Sequence, residues 1–104
     1  MFSPEKPRYM TRGINKEVLP ELQVAMWQSI DTMRQAWGTL DYLQVFKFEN
    51  LSNEVLAVRH EQEEPEKVIV FYVPFKEEYR KILTETVFVI DDIDHCTMLF
   101  AKEY

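Results

Sequence analysis

Between Pro20 and Trp37 the apolar residues Leu22, Met26, Ile30, Met33 and Trp37 recur at steps of four, four, three and four. That spacing lays them along one stripe of an α-helix, with Leu19 and Trp27 widening it. Pro20 suits the first helical position, where its missing N–H costs nothing. Glu21 in the first turn and Arg34 near the last complement the helix dipole, and Gly38 can close the helix in the left-handed region.

Elsewhere the period shortens. Arg8 to Gly13 reads as a short strand ended by the glycine. Asp41 to Glu49, rich in aromatic and β-branched residues, reads as a strand. Asn50-Leu51-Ser52-Asn53 makes a hairpin loop, and Glu54 to Glu61 returns with Val55 and Ala57 on one face and Leu56 and Val58 on the other. Gln62 to Lys67 is an acidic turn around Pro65. The unbroken apolar run Val68 to Val73 predicts a central strand buried on both faces, stopped by Pro74. Phe75, Tyr79, Ile82 and Leu83 allow a second, short helix. Thr86 to Ile90 and Thr97 to Ala101 are strands flanking a turn at Asp91 to Asp94. The expected architecture is α+β: one long helix on an antiparallel sheet of about six strands, with a ferredoxin-like arrangement as the alternative.

The chain has 104 residues, 46% of them hydrophobic and 29% charged. These values suit one globular domain and exclude collagen-like or disordered classes. No linker or repeat divides residues 1–104, and residues 1–7, with Pro4 and Pro7, are expected to form a loose arm. Cys96 is the lone cysteine, so no internal disulfide can form, which suits a reducing compartment. The longest apolar run, Val68 to Val73, is far short of the roughly 20 residues a bilayer needs. The N-terminus lacks the apolar core of a secretion signal. A cytoplasmic location, away from membrane, is the expectation. Charge divides unevenly: residues 1–40 carry +1 and residues 41–104 carry −7, within a total of −6. Phosphate backbones and anionic lipid repel such a surface, and a basic partner is attracted by it.

Several segments resemble one small family. They are Arg8-Tyr9-Met10-Thr11-Arg12-Gly13-Ile14, Leu22-Gln23, Trp27-Gln28, Ile30-Asp31 and Asp41-Tyr42-Leu43-Gln44-Val45-Phe46. Phe88-Val89-Ile90-Asp91-Asp92 and Thr97-Met98-Leu99, with Ala101, Glu103 and Tyr104, complete the match. The family is the domain of unknown function first named for staphylococcal proteins, found in Gram-positive bacteria and their phages. The resemblance implies a bacterial or prophage cytoplasmic setting and carries over no activity, ligand or catalytic residue.

Asp91, Asp92, Asp94 and His95 are the densest group of ligand-type side chains. A calcium loop needs about twelve residues, a sharp-turn glycine and a terminal glutamate, all missing here, so a hairpin turn is the simpler reading. No metal or cofactor is expected. His95 and Cys96 are neighbours on a strand and point to opposite faces, so a thiolate nucleophile would need His60 from another strand. A buried, inert Cys96 and a partly exposed, hydrogen-bonded His60 are the plainer expectations. Arg8, Arg12 and Lys16, with Tyr9 and Tyr42, could in principle hold nucleic acid, but three charges on an acidic chain are a weak footprint, and Arg8 and Arg12 more simply bridge to acidic residues on adjacent strands. Trp27 or Trp37, if exposed, would be an interface anchor. The run Glu61, Glu63, Glu64, Glu66 is a solvated loop in the plainer reading, or a negative patch that docks on a basic partner. With two glycines in all, a Gly-rich phosphate loop is excluded. The favoured reading is a non-enzymatic protein-interaction module that binds another protein or a second copy of itself. The alternatives are a small enzyme using His60, His95 and Cys96 and a nucleic-acid binder using Arg8, Arg12 and Lys16.

Overall fold

A computed structural model describes residues 1–38 and 40–104 of the chain. In order, the elements are β1 (Arg8–Met10), α1 (Arg12–Glu17), α2 (Pro20–Trp37), β2 (Leu43–Asn50), β3 (Val55–Gln62), β4 (Lys67–Pro74), a 3₁₀ turn at Glu77–Ile82, β5 (Thr86–Asp91), β6 (Cys96–Phe100) and a 3₁₀ turn at Ala101–Glu103. The chain is α+β. Its six strands form one mixed sheet in the order β1-β6-β5-β2-β3-β4, in which β1 runs parallel to β6 and the other neighbours are antiparallel.

Helix α2 starts and ends on the signals its sequence carries. Pro20 opens it, and Gly38 closes it at φ 76°, its N–H donating to the Arg34 carbonyl. Leu22, Met26, Ile30 and Met33 are buried in one cluster with Phe46, Leu56, Val58, Val87, Val89, Met98 and Phe100 from the sheet. Fully burying each large apolar side chain contributes about 1.5–3 kcal/mol. Trp37, the last residue of the predicted stripe, is 41% exposed under the Lys67 ammonium.

Several expectations are corrected. The strand expected to run to Gly13 stops at Met10, because the Thr11 hydroxyl accepts from the Ile14 N–H and caps α1. Gly13 lies inside that helix, where an added Cβ would sit 2.6 Å from the Glu103 carboxylate. The run at Val68–Val73 is not central: β4 is the last strand of the sheet, and Val68, Val70 and Tyr72 stand exposed on its open face. The second, short helix is present at Glu77–Ile82, but as a 3₁₀ helix rather than an α-helix. The arm expected to be loose is docked. Phe2 is fully buried with φ 56°, and the Lys6 ammonium donates to the Asp91 carboxylate (2.9 Å) and the Asp92 carbonyl (2.7 Å). Burial of the ring offsets the strain of that backbone conformation.

Candidate functional site

Where β2 begins and β3 ends, the open face of the sheet forms a cleft of about 280 Å³. Strand alternation explains its floor. Leu43 and Val45 of β2 point away from α2, opposite Gln44 and Phe46, which are fully buried beneath it. Val68 of β4 completes the apolar part. The rim carries Asp41, Glu61, Glu63 and Glu66, together with the Arg59 guanidinium, and Tyr42, half exposed, is one wall. Three of the four glutamates expected to form a negative patch therefore meet around an apolar hollow, and Glu64 sits in the same exposed loop. Glu61 is already engaged: the Arg59 side chain (2.8 Å) and the Lys47 ammonium (3.1 Å) hold its carboxyl below the ordinary range, against a smaller opposing effect of burial. Glu63 and Glu66 reach water on the loop.

Behind the cleft a buried polar chain holds that loop. The Glu64 N–H donates to the Asp41 carboxylate (3.2 Å), and the Gln62 side chain donates to the Pro65 carbonyl (2.8 Å). The Asp41 N–H donates to the Gln62 oxygen (3.0 Å), which also accepts from the Gln44 amide (2.8 Å). Because backbone groups fix which end of each amide is the donor, Gln44 presents its oxygen to His60 Nε2 at 2.6 Å. His60 therefore carries its proton on Nε2 and accepts on Nδ1 from the Ser29 hydroxyl at 2.7 Å. The imidazole is fully buried and stacks on Phe46. Burial pulls its pKa down to about 4, so it is neutral at physiological pH. This corrects the expectation of a partly exposed His60. Ser29 and Gln44 were not singled out from sequence, although the alternation that buries Phe46 and Val58 also places Gln44 and His60 under the helix.

The other candidate residues do not converge. Cys96 lies on β6, three strand spacings from β3 in the sheet order, about 14 Å at ~4.8 Å per strand. It is buried and its thiol donates to Asp91 (3.1 Å). Burial, and then the Asp91 carboxylate, push its pKa up to about 12. Asp91 itself, despite burial, is held below the usual carboxylate range by Lys6, the Cys96 thiol and the Phe2 N–H. His95 is in the exposed turn, bonded to Asp94 (2.8 Å) with its ring edge against Tyr9. In that turn the Asp92 N–H donates to the His95 carbonyl. The basic cluster is also divided. Arg8 is paired to Asp31 of α2 through two bonds (2.5 and 3.2 Å) and lies over Trp27, a helix partner where one on an adjacent strand was expected. Arg12 and Lys16 are exposed on α1. Among the described residues, no helix is long and apolar enough to cross a membrane.

A solved structure shares this fold across 99% of the chain and 94% of its own length, with a TM-score of 0.83 at 21% identity: the crystal structure of a protein of unknown function from Enterococcus faecalis. No curated protein matches. The family described as staphylococcal protein of unknown function (DUF960) matches residues 7–103. The resemblance seen in the sequence is thereby confirmed over almost its whole length, and the chain belongs to that family.

Proposed function

We propose that the chain is a non-enzymatic protein-interaction module of the bacterial cytoplasm, and that its acidic-rimmed cleft takes a lysine or arginine side chain from a partner protein. One observation carries this reading: with Glu61 paired to Arg59 and Lys47, the carboxylates of Asp41, Glu63 and Glu66 remain around an apolar floor. That is the pattern a long cationic side chain fills, with its methylenes on Leu43, Val45 and Val68 and its charged head at the rim. The Tyr42 ring offers a face to the cation. A second copy is the weaker choice of partner, because each copy carries −6. The enzyme reading lacks support in the separation of His60, His95 and Cys96.

The test is calorimetric titration of the chain with an arginine- and lysine-rich decapeptide at low and physiological salt. Saturable binding that weakens with salt, and that the double change Glu63→Lys, Glu66→Lys abolishes, is expected. Equal binding by that variant, or none by either, overturns the reading.

A further inference from the structure

We propose that the free edge of β4 captures an extended segment of a partner protein as a seventh strand, and that the segment is apolar at alternate positions and basic at one end. The inference rests on the reading of the chain as an interaction module, but it places contact on the edge of β4 and the groove beside α2, which adjoin the cleft and share only Val68 and the acidic loop with it.

Four observations carry it. First, β4 is eight residues long, terminates the sheet and bonds on one side only; among the described residues no backbone group reaches its outer edge. Second, the polarity of that edge can be read from the ladder. The Phe75 N–H donates to the Glu54 carbonyl (2.9 Å), so antiparallel alternation pairs Val73, Phe71 and Ile69 inward to β3. Val68, Val70 and Tyr72 are left with three N–H and three C=O groups facing outward. Pro74 falls in the same outward class, where its missing N–H breaks no bond to β3. Third, the edge has few of the devices that normally block strand addition. No charged residue interrupts Val68 to Pro74, and Lys67, the one cation of the strand, is held over the Trp37 ring.

Fourth, a groove of about 330 Å³ runs beside this edge on the helix side. Helix α2 turns the small residues Ala25, Ser29 and Thr32 toward it, leaving Ile69, Phe71 and Val73 only half covered. A strand added to β4 places every second side chain over that groove, the arrangement in which backbone bonds supply affinity and the groove supplies selectivity.

Charge chooses the occupant. The loop with Glu63, Glu64 and Glu66 stands at the Lys67 end of the edge, so a basic terminus on the added segment lies beside it. A second copy paired antiparallel through β4 would instead bring its own acidic loop to the other end. There Glu54 and Glu77 stand, and Lys76 is already paired with Glu21. Like charges oppose that dimer.

The probe is a synthetic decapeptide of alternating valine and threonine followed by three lysines, so that antiparallel pairing with β4 sets the lysines at the Lys67 end, titrated into ¹⁵N-labelled chain beside the same peptide with three glutamates. The lysine peptide is expected to shift and protect the amides of Val68, Val70 and Tyr72 and to shift Thr32. The glutamate peptide is expected to bind at least tenfold more weakly. Val70→Pro removes one outward donor without touching the β3 ladder and should weaken binding roughly three- to tenfold. Gln28→Trp, an exposed groove-side change on α2, should weaken it similarly and serves if the proline variant fails to fold. Shifts confined to Tyr42, Leu43 and Val45 would overturn this inference while leaving the cleft reading intact. Equal affinity for both peptides would overturn it, as would self-association of the chain that Val70→Pro abolishes. Binding at β4 by the Glu63→Lys, Glu66→Lys chain toward a peptide lacking lysines would show the edge working without the cleft.

Discussion

His60 makes the stability of this protein depend on pH in a defined direction. In the unfolded chain its imidazole takes up a proton near 6.5; in the folded chain, enclosed by Phe46, Ser29 and Gln44, it does so only near 4. Between those values the unfolded chain binds the extra proton. Stability is therefore complete above about pH 6.5 and is lost as pH falls toward the folded value. At about 1.36 kcal/mol per unit, the full effect is about 3 kcal/mol, of which about 2 kcal/mol disappears between pH 7 and pH 5. Urea denaturation followed by tryptophan fluorescence, at several pH values across that range, measures it. The comparison is His60→Gln, which cannot titrate. The variant loses about 1–3 kcal/mol at pH 7 from its imperfect hydrogen bonds and lost stacking, but its stability should change much less between pH 7 and pH 5. Carboxylates contribute equally to both chains and cancel. If wild type and variant decline in parallel within about 0.5 kcal/mol, the neutral buried imidazole is wrong, since that residual matches ordinary surface effects.

Other consequences follow from single contacts. Phe2→Ala removes a fully buried ring and should cost about 3–5 kcal/mol in denaturant unfolding; a loss under 1 kcal/mol would mean the arm is not docked. Cys96 should resist an aromatic disulfide reagent in the native protein and react at once in denaturant, because its thiol is enclosed and its pKa raised; rapid native labelling would contradict this. Gly38→Ala places a side chain at φ 76° and should lower stability by about 1 kcal/mol, read from the urea midpoint. Arg8→Ala breaks a two-bond pair with a partly exposed Asp31 and should cost only about 1 kcal/mol.

Local signals were strong enough to read α2, where proline, stripe and glycine agree, and the β2–β3 hairpin, where branched residues flank a polar loop. Errors arose where one residue carried two meanings. Gly13 looked like a strand stop, yet it allows α1 to pass close to Glu103; the Thr11 cap with Ile14 and Val18 four apart was the signal for that helix. Val68–Val73 looked buried because apolar runs usually are, but strand order is a tertiary property, and an edge strand beside an apolar groove has the same composition. Half of the candidate site was legible as an acidic run. Its apolar floor was not, because Leu43, Val45 and Val68 are brought together only by sheet register. The Ser29–His60–Gln44–Gln62 chain was concealed for a different reason. Polar residues on a buried face read as exposed until the partners that satisfy them are known.

Amide chemical-shift mapping with the arginine- and lysine-rich decapeptide probes the cleft most directly. Perturbations should centre on residues 41–45 and 59–68, with Glu63 and Glu66 among the largest, and should fade as salt rises. A map centred on His95 and Cys96, or on Arg12 and Lys16, would contradict the account.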